Sequence, residues 1–402
     1  MPTRPLPQRP NLRHLKDQAK DLLKSGAASS LTDAQFQIAQ VYGFASWPKL
    51  KAHIESLEEI GALKQAIDTN DFERVKELMT RNPALHGAPI GYNQNGPLTW
   101  VAECRVPWEP PGPARLAMAR WMIDNGSDVH QGGDGPLMRA ALNADRIPMM
   151  ELLVVHGAGV NAEWNGDYPI IFAPCEGMAP AALRWLLDHG ANPNCAKAGR
   201  KYPGTALDFV IASYARSTNL SVCIDMLLDA GAVTRYRTPG LLEMLRGRLD
   251  QLAERLDQDP SLVGRRFPEL DFGGTAMRRL RLDGGTLMHV AAEYCNLPAA
   301  ALLLDRGADV NAPSDGAGQT PIFHAASQFS DHGLAVTELL LDRGADLSIR
   351  VKLPGNIKEP DEIVDCTPLG YAIRFPGDDP THSGRLQSPK TIALLRERGG
   401  VA

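Results

Sequence analysis

Few side chains in this 402-residue chain stand at spacings that support chemistry. The clearest pair is His289 and Glu293, because residues four apart on a helix share one face, and an imidazole with a carboxylate is a metal-binding combination. The six cysteines contain no CxxC pair, which argues against a zinc clip or a disulfide framework and fits a reducing compartment. No phosphate-loop, dinucleotide-binding, H-E-x-x-H or G-x-S-x-G motif occurs. The sequence therefore predicts a protein that is not an enzyme, with no catalytic, cofactor-binding or metal site.

Charge and hydropathy restrict the expected cellular location of the protein. The formal net charge is −5, and the N-terminus has no apolar core of the signal-peptide type. No run approaches the roughly 18 apolar residues that span a membrane. We expect a cytoplasmic protein without membrane contact, with secretion lacking a cleaved signal as the alternative.

A recurring phrase indicates how the chain is built. It reads "GADVNA" at 307–312 and "GADLS" at 344–348, each time after the leucine-rich run "LLLDR". The first spacings between its opening glycines are 31 and 33 residues, and one gap of 76 is about two units. Self-similarity at such a period is typical of a stack of one supersecondary unit. The phrase-opening glycines are Gly126, Gly157, Gly190, Gly231, Gly307, Gly344 and Gly399.

A second motif precedes the glycine phrase at the same distance. "GTLMHVAA" at 285–292 precedes Gly307, and "TPIFHAA" at 320–326 precedes Gly344. Together the motifs resemble the ankyrin repeat over roughly residues 61–402. The resemblance implies two helices per unit, a glycine in the left-handed conformation after the second helix, and a protein-binding function. It also implies that His289 bonds neighbouring backbone instead of a metal.

Two stretches look like divergent units. The segment at 70–85 aligns with the segment at 247–262, and both read as an outer helix that ends in a proline turn. They fill the 76-residue gap and the start of the array. The predicted fold is an all-α ankyrin solenoid of about nine units, two of them divergent.

Insertions interrupt the predicted array at 105–113, 215–221, 351–365 and 375–389. Insertions in repeat proteins map to loops, often on the binding face. Neutral drift in length at loop tips explains them equally well.

The first 60 residues do not match the repeat and predict three helices. The block "HLKDQAKDLL…YGFASWPKLKAHIE" resembles a leader that precedes ankyrin repeats in many bacterial proteins, which implies a bacterial source. We therefore predict two domains, a helical leader at 1–60 and the repeat array at 61–402. The leader is expected to cap the apolar end of the first repeat, as terminal units of a stack must.

The leader has a second interpretation, as a helix-turn-helix that binds nucleic acid. Residues 1–54 carry eight Lys or Arg and three Asp, a net charge of +5, which suits a polyanion. Against it, the second helix offers only Lys49, Lys51 and His53 as polar readers, while Phe44 and Trp47 look like core.

We expect the function to be that of a noncatalytic scaffold or adaptor that binds a protein partner. The alternative is a nucleic-acid-binding regulator that uses the basic leader, with the repeats as a sensor or a dimerising arm. Partner-binding residues should follow the small pair on each first helix, on the concave surface. Their mostly acidic character suits a basic or mixed partner. They are Glu103, Asn143, Glu176, Glu293, Tyr294, Gln328 and Arg374.

Overall fold

A computed structural model describes residues 4–7, 10–91, 95–106, 108–213, 217–273, 278, 280–355, 362–374 and 388–402. Most of the insertion predicted at 375–389, and parts of those at 105–113, 215–221 and 351–365, lie outside the described residues. In the described ranges no helix combines the length and the apolar composition that crossing a membrane requires.

The sequence predicted an all-α chain, and the described chain is mostly helical but also has short antiparallel hairpins in some loops. The strands are β1 (Glu163–Trp164), β2 (Tyr168–Pro169), β3 (Val351–Pro354) and β4 (Ile363–Cys366), paired β1–β2 and β3–β4. The helices are α1 (Leu12–Lys24), α2 (Leu31–Val41), α3 (Trp47–Asp68), α4 (Phe72–Arg81), α5 (Pro97–Glu103), α6 (Pro113–Asp124), α7 (Gly135–Ala141), α8 (Ile147–Val155), α9 (Phe172–Glu176), α10 (Pro180–Asp188), α11 (Ala206–Ala212), α12 (Leu220–Asp229), α13 (Leu241–Leu245), α14 (Leu249–Gln258), α15 (Leu287–Glu293), α16 (Leu297–Asp305), α17 (Pro321–Ala326), α18 (Leu334–Asp342), α19 (Pro368–Arg374) and α20 (Pro389–Glu397).

The chain divides into two compact units by internal contacts. The first comprises residues 1–140 with 148–159, and the second comprises residues 141–147 with 160–402.

In the first unit, α1, α2 and α3 form a small hydrophobic core of their own. Ser30 and Ser46 begin α2 and α3 by accepting backbone N–H groups at 3.1 and 3.4 Å, which satisfies donors that a helix start leaves open. Phe44 and Trp47 pack against this core, as their sequence context predicts. The buried core residues are Leu15, Ala19, Ala28, Ala34, Ile38, Ala39, Leu50 and Ile54.

Helix α3 continues through the predicted domain boundary at residue 60/61. Its first half buries Leu50 and Ile54 in the leader core, and its second half buries Leu63 and Ile67 on the side of α4. One helix therefore belongs to both the leader and the first helix pair, and no linker separates them.

From α3 onward, successive helices pack as neighbours. Contacting pairs are α3–α4, α5–α6, α9–α10, α11–α12, α13–α14, α15–α16, α17–α18 and α19–α20. Each of the seven phrase-opening glycines has a positive φ, between +78° and +111°. This confirms the predicted left-handed conformation, which glycine adopts without the steric cost of a Cβ.

The two divergent outer helices also have the predicted form. Helix α4 is followed by a 3₁₀ turn at Pro83–Gly87, and α14 by one at Pro260–Val263. Asn82 and Asp259 accept the N–H two residues ahead at 3.2 Å in both turns. The same side-chain cap therefore replaces the glycine ending in both places.

Candidate partner-binding surface

The seven predicted partner-binding residues do occupy equivalent positions, at the end of a first helix. Glu103, Glu176, Glu293 and Arg374 are the last residues of α5, α9, α15 and α19. Asn143, Tyr294 and Gln328 follow α7, α15 and α17 by one or two residues.

Their predicted exposure is wrong for three of the seven. Glu103, Glu293 and Gln328 are 3, 0 and 2% exposed. Asn143, Glu176, Tyr294 and Arg374 are half-buried. A repeat consensus assigns these positions to solvent, and in this chain other segments cover them.

Glu293 is covered by Arg278, which lies between the Pro260–Val263 turn and α15. The guanidinium donates Nη2–H bonds to both carboxylate oxygens at 2.6 and 2.7 Å, and both side chains are completely buried. A buried ion pair of this kind is costly to break, because removing one partner leaves the other charge unpaired and out of water.

The same guanidinium reaches the next first helix. Its Nη1 donates to Ser327 Oγ at 2.6 Å and to the His324 carbonyl at 3.3 Å. His324 Nδ1 lies 2.8 Å from Glu293 Oε2. Arg278 thus connects the ends of α15 and α17. Because Glu293 is hydrogen-bonded within this cluster, it is not available to bind a metal ion together with His289.

His289 has the structural role that the resemblance implies. Its Nδ1 accepts the Thr286 N–H at 3.0 Å, and its Nε2–H donates to the Gln319 carbonyl at 3.0 Å. Burial, followed by the neighbouring His324, lowers the pKa of His289 to about 3. The imidazole is therefore neutral, and both nitrogens are committed to backbone.

Neighbouring segments hold three further predicted residues in similar ways. The Tyr294 hydroxyl donates to the Ile211 carbonyl, and its ring meets Phe272 edge-on at 6.3 Å. The Gln328 amide donates to the His324 carbonyl at 2.8 Å. Arg105 and Arg139 lie 3.6 and 4.0 Å from the Glu103 carboxylate.

Glu176 leads to an aromatic surface in the second unit. Its carboxylate accepts the Tyr168 hydroxyl at 2.7 Å. The Tyr168 ring stands edge-on to Phe172 at 5.7 Å and to Phe209 at 5.9 Å, and the last two rings stack at 4.4 Å. Trp164 and Tyr202 complete the set at 6.3 and 5.1 Å from Tyr168 and Phe209. We call Trp164, Tyr168, Phe172, Tyr202 and Phe209 the finger cluster.

Only part of the finger cluster is buried. Phe172 is inaccessible, Trp164, Tyr168 and Phe209 are half-buried, and Tyr202 is 41% exposed. The hairpin β1–β2 carries Trp164 and Tyr168, and the loop before α11 carries Tyr202. The buried Phe172 ring thus supports the more exposed rings around it, and the finger cluster is an aromatic surface that is partly accessible to solvent.

Charged groups surround the finger cluster without a dominant sign. Glu163 is paired with Arg200 and with Lys197, the latter at 3.3 Å. Lys201 Nζ lies 5.3 Å from the centroid of the Tyr202 ring, a cation–π distance.

Sequence reasoning did not identify the finger cluster as a site, although its stacked rings, Phe172 and Phe209, lie on the first helices α9 and α11. It missed Trp164 and Tyr202 because both lie in loops, where the repeat pattern makes no prediction. Aromatic residues in consecutive finger loops were the available signal.

A comparison with protein families matches part of the second unit. Residues 288–341 match the family model described as ankyrin repeats (many copies). Within these residues the chain resembles ankyrin repeats. The match spans α15–α18, the helix pairs that contain His289 and the Glu293 carboxylate bound by Arg278.

A curated relative shares part of the chain. The BTB/POZ domain and ankyrin repeat-containing protein BOP of Lupinus luteus is 43% identical over 72 residues, which is 18% of this chain and 14% of that protein. The similarity is therefore local on both sides.

The human ASB11 ankyrin repeat domain, known from a crystal structure, is 22% identical and covers 66% of this chain and 99% of that one. The TM-score is 0.31, so this likeness supports no argument here.

Proposed function

We propose that this chain is a noncatalytic adaptor whose ankyrin repeats bind a protein partner at the finger cluster. Ankyrin repeats are generally protein–protein interaction modules, and the observation that carries the proposal is the partly exposed aromatic group on the finger loops of the second unit. Tyr and Trp dominate binding hot spots because they bury much area at little cost in side-chain entropy.

The chemistry of the surface favours a partner with an apolar anchor and a mixed polar rim. Tyr202 and Phe209 offer ring faces and edges to an apolar side chain, while Lys201 and Glu163 supply both signs of charge nearby. The sequence favoured a basic or mixed partner because most of the predicted residues are acidic, but the carboxylates of Glu103 and Glu293 are buried beside arginines. Of the predicted residues, Asn143, Glu176, Tyr294 and Arg374 stay proposed contacts.

The test is affinity capture from the native host with three baits. The parent, Tyr202→Ala and Val155→Ala are compared, because Val155 is also exposed but lies at the end of the outer helix α8. A specific partner is retained by the Val155→Ala bait and lost or reduced by Tyr202→Ala. Equal capture by all three baits would place recognition elsewhere.

We also infer that the helices from α3 to α20 form nine repeat units, with α7 and α8 as one of them. The shared helix α3 supports a capping role for the leader, because its buried Leu50 and Ile54 need the cover of α1 and α2.

Nucleic-acid binding by the leader is the second candidate. Arg13, Lys16, Lys20 and Lys24 are exposed at helical spacing on one side of α1, which favours contact with phosphates. Some cations of the leader are already paired, since Lys20 lies 3.0 Å from Asp17 on α1 and Lys51 lies 3.5 Å from Glu55 on α3. His53 on α3 lies against Phe44 at 5.1 Å. A salt series on mixed DNA tests this candidate, since phosphate-driven binding weakens steeply as salt rises.

A further inference from the structure

A pocket of about 170 Å³ lies beside the insertion at 105–113, in the first unit. Its wall includes Asn70, Glu109, Gly112, Ala114 and Arg115. The insertion and the first turn of α6 therefore shape a concave site distant in sequence from the finger cluster.

Arg115 supplies a buried positive charge with unused hydrogen-bonding capacity. The residue is 4% exposed, and its Nη2 donates to the Val106 carbonyl at 2.8 Å. Its Nη1 is buried and has no hydrogen-bond partner within the described structure. Burial lowers the pKa of Arg115, yet a guanidinium keeps its proton in proteins. An unsatisfied buried donor of this kind is costly, and a bound anion would remove the cost.

The start of α6 adds a second favourable group to the same pocket. The helix has 12 residues, and Gly112 begins it without a side-chain cap. Pro113 has no N–H to lose, and Ala114, the next residue, lines the pocket. The positive end of a helix dipole and its open N–H groups are well suited to an anion.

The remaining polar groups set the selectivity. The Asn70 Oδ1 atom is buried without a hydrogen-bond partner in the described residues, and a half turn of the amide would present its N–H₂ instead. Glu109 is exposed and is the carboxylate on the pocket wall. Asp68 is nearby but already accepts from Trp100 Nε1 at 2.7 Å and from Lys64 at 3.1 Å. Glu109 is thus the group that competes with an incoming anion.

We propose that this pocket binds one oxyanion group, a phosphate or a carboxylate, between Arg115 and the N-terminus of α6. Arg115 Nη1 and the first-turn amides donate to the oxyanion, and Glu109 limits its affinity by repulsion. The site is independent of the finger cluster.

The experiment is calorimetric titration of the full chain with inorganic phosphate and, separately, with acetate, at constant ionic strength. Saturable binding of either anion is expected, and the tighter one identifies the group. Arg115→Gln should weaken binding by about tenfold or more, because a charge-assisted donor is lost. Arg120→Gln, at an exposed position of the same helix, should leave it unchanged.

Glu109→Gln keeps the test decisive should Arg115→Gln fold poorly. Removing the competing carboxylate from an exposed position should strengthen binding severalfold. The proposal is overturned if neither anion gives a saturable signal, if Glu109→Gln leaves affinity unchanged or lower, or if Arg120→Gln weakens binding as much as Arg115→Gln.

Discussion

At the scale of single residues, Arg278 determines that side chains at the ends of α15 and α17 are buried. It holds Glu293 by two hydrogen bonds and Ser327 by a third, all without solvent contact. A position that the repeat pattern assigns to partner recognition has become part of the core. Glu293 therefore contributes to the stability of the fold and is not accessible to a partner.

Replacing Arg278 by Met should destabilise the second unit strongly. The change leaves the buried Glu293 carboxylate without its bidentate partner, which costs about 3–5 kcal/mol. Adding Glu293→Gln should recover part of the loss, since the unpaired charge is then removed. Urea unfolding gives the midpoints.

Arg281→Met is the matched control for that series. Arg281 is paired with Asp283 at 2.7 Å at the surface, and its loss should change stability by about 0.5 kcal/mol or less. Equal midpoints for Arg278→Met and Arg281→Met would show that the buried pair does not hold the unit together.

Features that depend on neighbouring residues could be predicted from the sequence, whereas features that depend on contacts between distant residues could not. The positive φ of Gly344 was predictable because it depends on the residue itself and on the helix before it. The burial of Glu293 was not, because it depends on Arg278 in a loop where the repeat pattern is silent. The contact of Tyr294 was equally beyond the repeat pattern, since its hydroxyl bonds the carbonyl of Ile211, 83 residues earlier.

At the scale of elements, α3 is the least expected feature. A change of sequence pattern near residue 60 suggested a boundary, yet the helix continues to Asp68. Buried side chains anchor the helix on both sides of Gly61: Leu50 and Ile54 before it, Leu63 and Ile67 after it. Tertiary packing overrides the local propensity.

Two alanine substitutions should therefore act in opposite directions. No atom lies within 4 Å of the position a Cβ would take at either Gly61 or Gly344, so only the backbone differs. Gly61→Ala should stabilise α3 by about 0.5–1 kcal/mol. Gly344→Ala, at φ +88°, should destabilise by about 1–2 kcal/mol.

Thermal melting of both glycine variants against the parent is the measurement. A destabilised Gly61→Ala protein would mean that α3 is interrupted near the predicted boundary. A neutral Gly344→Ala protein would mean that the second helix does not end as described.

At the scale of the whole molecule, the leader and the repeats share helix α3, but they present different side chains to a partner. The leader presents a basic side of α1, the first unit holds the Arg115 pocket, and the second unit holds the finger cluster. Deleting the leader therefore tests its structural role separately from the binding role of the repeats.

Deletion of residues 1–45, which keeps α3 intact, should lower the melting temperature and the solubility. Leu50 and Ile54 lose their cover, and exposed apolar surface promotes aggregation. The same deletion with Leu50→Gln and Ile54→Gln should recover solubility. Unchanged melting of the simple deletion would contradict the capping role and favour nucleic-acid binding.

The central claim is that the repeats recognise a protein partner at the finger cluster. Hydrogen exchange of the full chain, with and without the captured partner, tests it most directly because it maps contact along the backbone. The account predicts slower exchange in residues 160–212, around β1–β2 and the loop that carries Tyr202, with little change in α1 and α2. Protection confined to α1 and α2, with residues 160–212 unchanged, would contradict it.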